Sequence, residues 1–141
     1  MLFEPKAVGV VLFFLVLVSG CEDKALVKVY DQKILQTPPT CLALSVIPEE
    51  TSIEQALKQQ YRFDPTCPWR LEVHYKNNIR CTSNQNSDRK ALSAFPSSYL
   101  RMEIRRGMRL LYSYYIDLPQ RAKNGDAKRG LSRIIEDLFD Q

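Results

Sequence analysis

The residue whose setting points most clearly to chemistry is Cys21. It follows Val18-Ser19-Gly20, the end of a run of twelve apolar residues from Ala7 to Val18. Cysteine sulfur, as its thiolate, is a soft, easily alkylated nucleophile. Ser19 and Gly20 are small, so an extended backbone at this point can enter a protease cleft. Three other thiols, Cys41, Cys67 and Cys81, follow. They allow one disulfide and one leftover cysteine, and the sequence leaves all three pairings open. His74 is the single histidine and no CxxC occurs, so no metal site is expected. Nucleophile-elbow, HExxH, phosphate-loop and paired-carboxylate patterns are absent. The chain therefore reads as no enzyme, with no catalytic residue and no cofactor assigned.

The stretch ending in Cys21 resembles the lipobox of bacterial lipoproteins. The resemblance covers the first 21 residues. It implies a diacylglycerol joined to the Cys21 sulfur by a thioether, cleavage just before that residue, and acylation of the new amino group. Residues 1–20 then form a lipoprotein signal peptide: an apolar centre and small residues before the cut, behind Lys6 as the only positive side chain. An uncleaved membrane helix would need about 20 apolar residues. Two or more acyl chains anchor firmly where one does not. Residue 22 is Glu rather than the Asp that tends to mean inner-membrane retention in Gram-negative lipoproteins. The expected location is the cell envelope, at the periplasmic face of the outer membrane.

Cleavage would leave 121 residues, the size of one domain, at an unchanged formal charge of +4. That charge is too mild to argue for nucleic acid. Residues 21–25 are the lipidated cysteine and a short tether, and residues 26–141 a single domain. Five extended residues span about 3.3–3.6 Å each, which keeps the domain within roughly 18 Å of its lipid.

The element pattern is α+β, in the order β-β-α-β-β-β-β-α. Ala25 to Leu35 and Cys41 to Ile47 read as strands. Thr51 and Glu54 have capping-box spacing, and Ile53, Ala56, Leu57 and Tyr61 repeat at helical intervals. Trp69, Leu71, Val73 and Tyr75 alternate with Arg70, Glu72, His74 and Lys76 as a half-buried strand. A three-residue loop ending at Asn78 would pair Tyr75 with Ile79 and Val73 with Cys81, keeping one face apolar. Residues 82–97 read as a long polar loop. A hairpin then turns through Arg105-Arg106-Gly107, pairing Ile104 with Met108, Met102 with Leu110 and Leu100 with Tyr112, with Gly107 left-handed. Asn124-Gly125-Asp126 caps a last helix whose apolar face is Ala127, Leu131, Ile134, Ile135 and Leu138. Gly130 should weaken that helix by about 1 kcal/mol relative to alanine. Acidic Glu136, Asp137 and Asp140 oppose its dipole. The expected result is an antiparallel sheet of five to six strands with two helices on one face.

Strict alternation puts Tyr99, Arg101, Glu103, Arg105, Arg109, Leu111 and Tyr115 on the hairpin's outward face, with Arg106 at its tip. Arg101, Arg105, Arg106, Arg109 and Tyr115 are the candidates for contact with an anionic partner, since guanidinium meets phosphate or carboxylate bidentately. Tyr112 and Tyr114 point inward. Arg121, Lys123, Lys128, Arg129 and Arg133 make a second basic group that could meet anionic head groups. The element order loosely resembles auxiliary lipoproteins of outer-membrane lipid transport. That resemblance implies a lipid-anchored accessory protein, a scaffold or chaperone partnered with an envelope protein. A direct binder of anionic lipid or lipopolysaccharide, or a lipoprotein of a secretion or conjugation apparatus, are the alternatives.

Overall fold

A computed structural model describes residues 25–79 and 97–140. The signal peptide, Cys21 and its tether, Cys81 and nearly all of the expected polar loop lie outside the described residues. The fold is α+β, in the order β1 (Leu26–Val29), α1 (Lys33–Gln36), β2 (Ala43–Ile47), α2 (Thr51–Gln60), β3 (Trp69–Lys76), β4 (Ser98–Arg106), β5 (Arg109–Leu118) and α3 (Asn124–Leu138). The five strands form one sheet in the order β1-β5-β4-β3-β2.

The expected first strand is cut short at Val29. The Asp31 carboxylate accepts the Lys33 N–H at 3.0 Å, a local bond that turns the chain into α1. The antiparallel expectation fails for one pair. β2 and β3 are parallel, with Leu44 opposite Leu71 and Val46 opposite Val73. Parallel neighbours require a crossover, and α2 provides it. Glu54 does not complete a capping box at the start of α2. It pairs instead with Lys58, Nζ to Oε1 at 2.6 Å.

A disulfide joins Cys41 to Cys67. It ties the residues leading into β2 to those leading into β3, so it closes the base of this crossover. Closing a loop of 26 residues removes unfolded-chain entropy worth about 3.5 kcal/mol in the loop-entropy account.

The expected hairpin after β3 does not form. Val73 stands opposite Met102 rather than Cys81, and Tyr75 opposite Leu100 rather than Ile79. Asn78 does take a positive φ of 56°. The chain then leaves the sheet, with the Ile79 N–H donating to the Ser97 carbonyl at 2.8 Å. The reason is apolar supply. Past Ile79 the sequence turns polar at once, whereas β4 offers Leu100, Met102 and Ile104 in unbroken alternation, all three fully buried.

The core lies on one side of the sheet. Leu71, Val73, Leu100, Met102, Ile104, Tyr112, Tyr114 and Ile116 pack beneath Ile53 and Leu57 of α2 and Ala127, Leu131, Ile134 and Leu138 of α3. Gly130 is explained by this packing. A Cβ there would collide with Met102 Sδ and stand 3.0 Å from Tyr114 Cε1, so the glycine lets helix and sheet approach closely. The opposed dipole at the end of α3 is offset too. Asp137 accepts the Tyr112 hydroxyl at 2.7 Å and the Arg133 Nε at 3.0 Å.

Candidate functional site

The sheet's other face carries no helix among the described residues. Strand alternation sends Arg70, Glu72 and His74 of β3 and Arg101, Glu103 and Arg105 of β4 to this side. Register then sets Glu72 directly opposite Glu103, His74 opposite Arg101, and Arg70 opposite Arg105. Two like charges directly opposite are destabilising, and here both carboxylates are well covered. The side chain of Glu72 is 13% exposed and that of Glu103 only 6%.

Neighbouring cations resolve the conflict. Arg70 Nη2 lies 2.6 Å from Glu72 Oε1, and His74 Nε2 lies 3.1 Å from Glu72 Oε2. Arg101 Nε stands 3.1 Å from Glu103 Oε1, and Arg105 Nη2 2.9 Å from Glu103 Oε2. Arg105 Nε also reaches Glu72 Oε2 at 3.4 Å. Burial works to raise the Glu72 pKa, but hydrogen bonds from His74 and Arg70 and the charges of Arg70 and Arg105 outweigh it. They hold the carboxyl below its ordinary value.

Glu72, His74 and Glu103 place three donor atoms within 4.8 Å of one another. That spacing would suit a cation, but every carboxylate oxygen already has a guanidinium or imidazole nitrogen beside it. A divalent ion would have to displace arginines and would meet their charge. The arrangement suits a closed ion-pair network.

Next to this network Tyr115 stacks on Tyr99, ring centroids 5.6 Å apart. Its hydroxyl donates to Asp117 at 2.7 Å. That bond first, with burial and the Asp117 charge, pushes its pKa up to about 12.

The arginines expected on one outward face are divided by a register shift at Ile104/Arg105. Ile104 pairs with Tyr112 and Arg105 with Leu110, leaving Leu111 as an extra residue in β5. Such a bulge reverses the alternation on either side of it. Arg101, Arg105 and Tyr115 remain on the open face. Arg106 and Arg109 pair with each other across a tight Gly107-Met108 turn and belong to the helix-bearing side. Gly107 is left-handed, φ 60°. The expected partnership of Ile104 with Met108 fails for the same reason. Met108 is 92% exposed, and Leu111, expected outside, is 4% exposed. Tyr112 and Tyr114 are inward, as alternation requires.

On the helix-bearing side, at the turn end of the sheet, lies a cleft of about 460 Å³. Trp69, Leu111 and Ile34 give it an apolar floor, while Lys33, Arg106, Arg109 and Asp31 stand at its rim. The Arg106 guanidinium sits 5.2 Å from the Trp69 ring centroid, within cation–π range. Arg109 Nη2 pairs with Asp31 Oδ2 at 2.7 Å.

A second cleft, about 400 Å³, lies at the opposite end, among Tyr75, Ile53, Arg121 and Lys123. Glu50 reaches Arg121 there at 4.0 Å. The rest of the second basic group is largely committed within α3. Arg129 pairs with Asp126, and Arg133 with Asp137.

Sequence reasoning missed the Glu72–Glu103 opposition and the partners of His74. The signal was present, since both glutamates alternate with core residues on their strands. It was hidden by pairing β3 with the wrong neighbour. Among the described residues, no helix is long and apolar enough to cross a membrane. No family model matches the chain, and neither curated proteins nor solved structures yield a match.

Proposed function

We propose that this protein is a lipid-anchored, non-catalytic accessory protein of a cell-envelope complex, acting as a scaffold or chaperone at the periplasmic face of the outer membrane. One observation carries the reading beyond the Cys21 motif. β1 begins at Leu26 beside Tyr115 and runs toward the turn end, where the Tyr30 N–H bonds to the Leu111 carbonyl. The anchor would therefore attach at the end of the sheet opposite the Gly107 turn. From Tyr115 back to Arg109 the strand covers roughly 20 Å at about 3.3 Å per residue. A domain held this way presents its basic hairpin tip to a partner rather than to its own leaflet.

The test is metabolic labelling of the full chain with radioactive palmitate. Wild-type protein is expected to carry the label and the Cys21→Ala variant to carry none. Absence of label from the wild type, or equal labelling of the variant, would remove the lipid anchor. Direct binding of anionic lipid is a second reading, supported by Arg121 and Lys123 at the anchored end. It expects salt-sensitive binding of phosphatidylglycerol vesicles that is weakened by Arg121→Glu with Lys123→Glu.

A further inference from the structure

We infer that the cleft between α1 and the turn end of the sheet is a binding site for an acidic peptide segment bearing an apolar side chain. The inference is independent of the anchor. Three cations, Lys33, Arg106 and Arg109, border the cleft against one carboxylate, Asp31. Asp31 is already taken by Arg109. Among the described residues no carboxylate lies within ion-pair reach of Lys33 or Arg106, whose one described partner is the ring of Trp69. The rim therefore carries a surplus of about two positive charges that nothing in the described structure neutralises. The Arg106 fork has its donors available for a carboxylate, which it can meet bidentately.

The floor fixes the other half of the ligand. Trp69 and Leu111 supply an apolar base, and a cleft of about 460 Å³ holds one or two large side chains rather than a whole domain. An indole floor with a cationic rim matches the aromatic and arginine anchors that dominate peptide interfaces. Gln36 and Thr37 line one wall. Their side-chain amide and hydroxyl can serve a peptide backbone, whereas an acyl chain would leave them unpaired on burial. Peptide is therefore favoured over lipid.

Trp69 is the chain's single tryptophan, so its emission reports on this cleft alone. The experiment titrates the full chain, in micelles of a neutral detergent, with a hexapeptide of alternating aspartate and leucine. A saturable shift of Trp69 emission is expected, weakened by salt. Arg106→Gln with Lys33→Gln should weaken it by about tenfold, the worth of one charged hydrogen bond. Both residues are exposed, and circular dichroism checks that the variant is folded. Lys58→Gln, at an exposed position of α2 away from the cleft, should leave affinity unchanged. An equal response to a lysine–leucine hexapeptide would overturn the proposal. So would unchanged affinity in the Arg106/Lys33 variant. A shift produced by phosphatidylglycerol vesicles but not by the acidic peptide would make this a lipid site and overturn it as well.

Discussion

Arg105 and Arg106 are consecutive residues of β4 in opposite electrostatic settings. Arg105 lies on the open face between one buried and one partly buried carboxylate, bonded to Glu103 and within reach of Glu72. Arg106 lies on the helix-bearing side over Trp69, with no carboxylate within ion-pair distance among the described residues. The same side chain is spent in one place and available in the other. Basic residues on a surface are therefore no measure of an anion site. What matters is the cations left over once buried acids have been neutralised. By that measure the open face is a structural network, and the cleft at the turn end is the candidate for recognition.

The comparison breaks most readily at Glu103. Removing Glu103 takes away the buried acceptor of Arg105, at a cost of about 1.5–3 kcal/mol for a charged hydrogen bond, while Arg101 and Arg105 are left partly exposed. Glu103→Ala should lower the urea midpoint by a corresponding amount. A loss below about 1 kcal/mol, the range of exposed pairs, would show that the open-face network resembles an ordinary solvated surface.

Acid should act on the same network more gently. Glu72 is held below its ordinary carboxyl value of 4.5. Its contribution is therefore fully present above that value and is lost as pH falls through the lower, folded-state value. Stability measured from about pH 6 down to about pH 3 should fall less steeply in Glu72→Gln than in wild type. Identical slopes would mean the network adds nothing to acid resistance.

The smallest effect belongs to the cleft. Arg109 is 70% exposed in its pair with Asp31, so Arg109→Ala should cost no more than about 1 kcal/mol. A larger loss in thermal unfolding would mean the cleft's cations are structural as well.

Much of this organisation was legible from residue periodicity. Trp69 to Tyr75, Leu100 to Ile104 and the apolar stripe of α3 each announce an element, because one buried face imposes its own repeat. Gly107 and Asn78 announce left-handed positions, because few other residues adopt them without strain. The candidate cleft was not legible, for two particular reasons. The partner of Trp69 on the neighbouring strand is Arg106, across a connection of more than twenty residues, and the sequence offered β3 a nearer false partner strand starting at Ile79. The inserted Leu111 also left no mark in the residue types, since Leu110, Leu111 and Tyr112 suit either face equally.

By itself, then, the sequence determined the α+β class, the positions of β3, β4, β5, α2 and α3, the inward tyrosines, and the motif at Cys21. These follow from local chemistry: side-chain period, turn geometry and a cysteine behind an apolar run. Tertiary structure alone decided which strands are neighbours, that β2 and β3 run parallel, that Cys41 pairs with Cys67, and which arginines keep a free charge. Those outcomes depend on competition among distant segments for the same buried face. Register and bulge are settled by the sum of the packing, and no short stretch of sequence contains that sum.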